Sequence, residues 1–164
     1  RRVSETVVEM LRSAQHDNKR ITMNNETKTI RPFTAAAFNQ YLAEHKLMTV
    51  KCTKCGGVYA PPRAICPKCR GEEMEWVEAS GKGKLAGFTI IYSGPTFMVA
   101  QGFDKKNPYV SGIVELEEGT FISARITGLD MSKPAEIKVG IPLAVDFVEF
   151  GEGDAKTTYL AFKA

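Results

Sequence analysis

Apolar residues recur at two different spacings along this chain, and the change of spacing divides it. Val3, Val7, Met10 and Leu11 fall at helical intervals, which predicts a short amphipathic helix over residues 4–14. Residues 15–28 are polar and aperiodic and read as a connector. Pro32-Phe33-Thr34 then opens a second helix, within residues 33–47, with Thr34 as N-cap and three alanines at 35, 36 and 37 behind it. Phe38, Tyr41, Leu42 and His45 stand at i, i+3, i+4 and i+7 of that helix and make one apolar stripe. Two readings of the stripe stay open. It packs on the module that follows, or, together with Phe33, it docks on another protein.

From residue 80 the period falls to two. The runs 85–92, 109–116, 120–126, 142–150 and 157–162 are β-rich and separated by Gly, Pro or Asp. Glu117-Glu118-Gly119 reads as a tight hairpin turn with a charged, solvated tip. Five short antiparallel strands, with one long connection at 94–108, predict a small barrel of the OB type. Phe88, Tyr92, Tyr109 and Phe121 fall at strand positions that core burial would explain. Residues 49–77 form a separate module with short strands near 58–60 and 74–77 and Trp76 as a cap. Ser80-Gly81-Lys82-Gly83-Lys84 lacks phosphate-loop spacing and reads as the hinge to the barrel. The fold class is therefore mainly β: an N-terminal extension (1–32), a helix with a small metal module (33–79), and a barrel (80–164).

The metal module carries all four cysteines of the chain, as Cys52-Thr53-Lys54-Cys55 and Cys66-Pro67-Lys68-Cys69. Each C-x-x-C grips one side of a tetrahedral ion, and two complete a closed four-cysteine site for structural Zn²⁺. Disulfides would suit a short secreted scaffold, whereas this chain shows no signal peptide at its start and its paired cysteines suit a reducing cytoplasm. An iron centre of rubredoxin type would use the same ligands. Gly56, Gly57 and Gly71 supply the positive φ that turns backbone N–H groups toward the sulfurs. Pro61-Pro62 stiffen the loop between the knuckles and present Arg63.

Composition narrows the function. With 43% hydrophobic residues in 164 the chain can bury a core, and no run approaches the ~20 apolar residues that span a membrane. Net charge is +5 over residues 1–83 and −2 over 84–164, so an anion-binding surface belongs to the first half or the seam. A net acidic barrel argues against nucleic acid, although a free-standing single-strand-binding module is the alternative function. The only histidines, His16 and His45, have no nucleophile beside them, every cysteine is committed to metal, and no nucleophile elbow or dinucleotide fingerprint occurs.

The ordered motifs, C-x-x-C-G, Pro61-Pro62-Arg63, Cys66-Pro67-x-Cys69, Ser80-Gly81-Lys82-Gly83-Lys84-Leu85, Pro108-Tyr109-Val110, Val114-Glu115-Leu116-x-Glu118-Gly119 and Gly140-Ile141-Pro142-Leu143, resemble one family over about residues 33–163. It is the family of acyl-CoA-associated proteins that join a rubredoxin-like zinc ribbon to an OB fold. The resemblance implies a non-catalytic subunit of a thiolase-type complex, whose partner supplies the reactive cysteine and makes or breaks carbon–carbon bonds on an acyl-CoA. Some members serve steroid or aromatic degradation, one as a benzoylsuccinyl-CoA thiolase subunit. It further implies that Arg63, Lys68, Arg70, Lys82 and Lys84 are candidates to meet the phosphates of partner-bound acyl-CoA. Phe33, Phe38, Tyr41 and Leu42 are the matching candidates to dock the catalytic subunit. A sensor that binds acyl-CoA without a partner is a third reading.

Overall fold

The computed structural model describes residues 31–164 except 152, 154 and 155. The helix expected over 4–14 and the connector over 15–28 lie outside the described residues. Pro32–Ala164 form one compact unit. It opens with helix α1 (Ala35–Ala43), whose Thr34 hydroxyl accepts the Ala37 N–H at 3.3 Å, as the N-cap reading requires. The helix stops short of the expected residue 47. His45 takes φ +56, and the N–H groups of His45 and Lys46 turn back to the carbonyls of Leu42 and Tyr41 in a Schellman-type end.

A three-stranded sheet follows: β1 (Met48–Cys52) lies between β2 (Val58–Tyr59) and β3 (Met74–Glu78), antiparallel to both. The barrel comprises β4 (Lys82–Ile91), β5 (Tyr109–Leu116), β6 (Phe121–Thr127), β7 (Pro142–Phe150) and β8 (Thr157–Lys163), closed in the order β4-β5-β6-β8-β7. The five strands match the five expected runs closely, but not all are antiparallel. β6 and β8 run parallel, Arg125 beside Ala161 and Ile126 beside Phe162. A closed ring with an odd number of strands must contain at least one parallel pair, so closure itself dictates this correction. The long connection carries a short helix, α2 (Thr96–Ala100), which periodicity did not reveal.

Ser80–Lys84 is not a hinge. Gly83 pairs with Leu116 on one side and Leu143 on the other, so this segment starts β4 and seals the barrel. A Cβ on Gly83 would lie 2.6 Å from the Glu115 carbonyl oxygen, which explains the glycine. Nor is Glu118 merely a solvated tip. Its carboxylate accepts the Ser80 N–H and ties the hairpin to the start of that strand.

The barrel core alternates as expected: Val110, Val114 and Leu116 on β5, and Ile122, Ala124 and Ile126 on β6, point inward beside Leu85 and Phe162. Phe38, Leu42, Leu47 and Ala60 belong to the same cluster. Helix and ribbon are thereby fused to the barrel through shared apolar burial, each large side chain contributing about 1.5–3 kcal/mol. Two aromatics expected in the core are outside it. Tyr92 and Phe121 are half exposed, because they occupy outward-facing strand and loop positions.

Candidate metal centre

Two turns of the same design hold the cysteines. In the first, the Gly56 N–H returns to the Cys52 carbonyl and the Cys52 N–H donates to Gly57; in the second, Arg70 returns to Cys66 and Cys66 donates to Gly71. The residue after each second cysteine carries the left-handed backbone, Gly56 at φ +71 and Arg70 at φ +58. Of the three glycines expected to take positive φ, Gly57 and Gly71 do not, and in the second knuckle that conformation falls on Arg70, a costlier occupant of the region. The knuckles bring Cys52 Sγ to 3.6 Å from Cys69 Sγ and Cys55 Sγ to 3.5 Å from Cys66 Sγ. All four sulfurs lie within 4.8 Å of one another. Thiolates at ~2.3 Å around a tetrahedral Zn²⁺ stand ~3.8 Å apart, so this donor set fits the ion. Zn²⁺ held by Cys52, Cys55, Cys66 and Cys69 would have no open position, and its contribution would be structural.

The electrostatics of the thiols point the same way. The Tyr59 hydroxyl, 3.3 Å from Cys66 Sγ, donates to it and draws the Cys66 thiol down to about 6, helped by the backbone N–H groups of Cys69 and Lys68. Tyr59 in turn is pushed up to about 12 by that bond, by burial and by the neighbouring sulfurs. At Cys69 the Gly71 N–H favours the thiolate, but burial and the three other sulfurs together push the thiol up to about 12. Several thiolates this close need a cation to ionise together. Tyr59 was not singled out in the sequence. The signal was there in Gly57, where a Cβ would meet the Tyr59 oxygen at 2.5 Å.

The five candidate phosphate contacts fall into two sets. Arg63, Lys68 and Arg70 are exposed on the ribbon, and the Arg63 loop is pinned to the barrel where the Ala60 N–H donates to Thr120 Oγ1 at 3.2 Å. Lys82 and Lys84 are exposed on β4 and line an open cleft of about 470 Å³. Glu115 and Glu117 line the same cleft, with Glu115 directly across from Lys84, so it carries both signs. Of the docking candidates, Phe38 and Leu42 are only 8% and 5% exposed, covered by the chain's own core. They cannot offer a free surface. Phe33 and Tyr41 are partly buried on Trp76, with ring centroids at 5.4 and 5.0 Å.

A rubredoxin-like ribbon with a four-sulfur centre, built onto a five-stranded OB barrel, defines the class of protein. Residues 40–75 match the family profile described as ChsH2, rubredoxin-like zinc ribbon domain, and residues 76–148 that described as ChsH2, C-terminal OB-fold domain. A DUF35 domain-containing scaffold protein of Methanocaldococcus jannaschii is 40% identical over 117 residues, 69% of this chain and 77% of that protein. The benzoylsuccinyl-CoA thiolase subunit BbsA of Thauera aromatica is 37% identical over 78 residues, 48% of this chain and 49% of BbsA. A solved structure titled Ltp2-ChsH2(DUF35) aldolase superposes with a TM-score of 0.63 at 26% identity, covering 88% of this chain and 98% of that one. The chain belongs to the DUF35 family of ChsH2-type zinc-ribbon and OB-fold proteins, as its ordered motifs had indicated. No helix among the described residues is long and apolar enough to cross a membrane.

Proposed function

We propose that this chain is a non-catalytic subunit of a thiolase-type acyl-CoA complex in the cytoplasm, stabilising the catalytic subunit and helping to shape its acyl-CoA site. The observation that carries this reading is kinship. About half of this chain is matched in a thiolase subunit, the ribbon-and-barrel unit recurs in a structure titled Ltp2-ChsH2(DUF35) aldolase, and other relatives are named scaffold proteins. The cysteines support it, since a closed four-sulfur centre engages every thiol that could act as a nucleophile. In this reading Arg63, Lys68 and Arg70 face the phosphates of acyl-CoA held by the partner, with Lys82 and Lys84 in a lesser role beside their glutamates. Phe33 and Tyr41 border the docking surface around Trp76. The setting proposed is degradation of an aromatic or steroid compound, and the benzoylsuccinyl-CoA in the name of BbsA supports the aromatic case.

Copurification with a thiolase-like protein encoded in the same genome tests the proposal, with acyl-CoA turnover expected only from the complex. Turnover of an acyl-CoA by the isolated chain would sink the accessory role. Tight calorimetric binding of CoA to the isolated chain would instead favour a sensor. Half-exposed Tyr92 and Phe121 give the nucleic-acid reading one observation in its favour. A salt titration with single-stranded DNA decides it: the accessory reading expects no binding even at low salt.

A further inference from the structure

A row of rings with one guanidinium in the middle crosses the outside of the barrel. Tyr109 on β5 meets Phe103 edge-on with centroids 5.3 Å apart. Phe103 and Phe150 both lie over the Arg125 guanidinium, at 5.2 and 5.1 Å. Phe150 then meets Tyr159 edge-on at 5.6 Å. Arg125 faces outward on β6, between inward-facing Ala124 and Ile126. Its planar fork is fixed by the aromatic rings, yet no hydrogen bond or ion pair engages it among the described residues. Asp146 acts on it electrostatically, but burial outweighs that carboxylate and holds the Arg125 guanidinium below its ordinary range, so the cation is only partly compensated.

Around this cation the surface is apolar. Arg125 borders a cleft of about 200 Å³ whose walls include Phe103, Pro108, Tyr109, Leu129 and Met131. Beside it, α2 exposes Phe97 and Val99 at 55% and 50%, and Tyr159 is 41% exposed. The helix is not a loose appendage. Its turn closes through the Phe103 N–H to the Met98 carbonyl, and Gly94 seats it against Tyr109. A rigid, half-buried arginine ringed by aromatics is the composition of an interface hot spot rather than of ordinary surface.

Resting on the accessory-subunit reading above, we propose that the catalytic subunit, besides its contact around Trp76, makes a second contact on this strip through an apolar segment that carries one carboxylate. The carboxylate takes the open edge of Arg125, an apolar side chain of the segment fills the cleft, and Phe97 and Val99 flank it. Charge selects this occupant. A second copy seated on the same strip by two-fold symmetry would bring Arg125 against its own counterpart, like charge facing like. A nucleic-acid strand would find the ring faces of Phe103 and Phe150 already covered by Arg125.

The test uses the full chain coexpressed with a thiolase-like protein encoded in the same genome, with affinity measured for purified variants. Phe97→Asp and Val99→Asp alter exposed side chains and should each weaken the complex at least tenfold. Arg125→Met should do the same, with Arg125→Lys recovering only part because it lacks the planar fork. Phe121→Asp, an exposed aromatic at the far end of β6, should bind like the parent, and melting curves of the isolated variants should match it. A complex that forms with equal affinity for every variant overturns the assignment of this face and leaves the accessory role standing. Failure to form any complex overturns both. Self-association abolished by Phe97→Asp, or single-stranded DNA binding lost in Arg125→Met, would also overturn it by naming a different occupant.

Discussion

Replacing Tyr59 with phenylalanine isolates what the protein adds to its metal centre beyond the four ligands. The substitution removes one hydroxyl, 3.3 Å from Cys66 Sγ, and nothing else. Loss of such an outer hydrogen bond typically weakens metal binding by about 10–100-fold. Cys66 keeps the N–H groups of Lys68 and Cys69, so one donor of three is lost and the expected effect is at the lower end, about tenfold. Gly57→Ala reaches the same bond from the other side, because its Cβ would lie 2.5 Å from the Tyr59 oxygen and must displace it. Each single variant should therefore bind Zn²⁺ about tenfold more weakly in competition with a chromophoric chelator. The double variant should lose clearly less than the product of the two, since both act on one interaction. The pH dependence has a defined sign. Tyr59 holds the Cys66 thiol at about 6, so without it the thiol rises and protons compete from a higher pH. The release curve of Tyr59→Phe should move toward higher pH, read from the charge-transfer band of the Co²⁺-substituted protein. Unchanged affinity in Tyr59→Phe, or losses that multiply in the double variant, would refute the argument.

Other consequences follow from particular contacts. Gly83→Ala places a Cβ 2.6 Å from a carbonyl oxygen and should cost about 1–3 kcal/mol in a denaturant melt, whereas Gly87→Ala on the same strand meets nothing within 4 Å and should be neutral or slightly stabilising. Cys66→Ser should unfold the ribbon, while Arg63→Ala, at an exposed position, should leave the melting temperature unchanged; equal losses by circular dichroism would contradict both assignments. Glu149 is held below the usual carboxylate range by Lys156 at 2.7 Å and then by His45 at 3.1 Å. Its contribution to stability is therefore present above the ordinary glutamate range and lost as pH falls through the lower folded value. Glu149→Gln should flatten the fall in melting temperature between about pH 5 and pH 3, and identical acid limbs would exclude the pairing.

What the sequence disclosed depended on whether the information was local. Strand runs at period two and cysteines at x-x spacing encode their own geometry, so the five barrel strands and the four ligands could be read directly. The parallel β6–β8 pairing is set by ring closure, which no single segment records. Glycine misled at Ser80–Lys84: the residues that suggest a hinge are there because strands approach closely on both sides of Gly83. The stripe on α1 was legible as apolar, but only tertiary contact shows that Phe38 and Leu42 face the chain's own barrel. Arg125 gave no signal at all. It is one polar residue at an alternating position, and its aromatic neighbours come from a connection and from β7.

The metal centre acts on the rest of the molecule through an unbroken series of packed elements. Cys52 ends β1, and β1 pairs along its full length with β3. β3 carries Trp76, against which Phe33 and Tyr41 hold the ends of α1. α1 in turn buries Phe38 and Leu42 in the barrel core, and on the other side of the ribbon the Arg63 loop is tied to the barrel through Ala60 and Thr120. A ribbon of this size has too little apolar surface to hold such an arrangement by itself, so an ion held by the four sulfurs would supply folding energy where the core is thinnest. The barrel differs, with a closed hydrogen-bond ring and most of the side chains of the shared core. The cysteines are best understood as fixing the Arg63 loop and α1 relative to the barrel. Their contribution is position, and in the proposed complex it is delivered to the surface that the catalytic subunit reads.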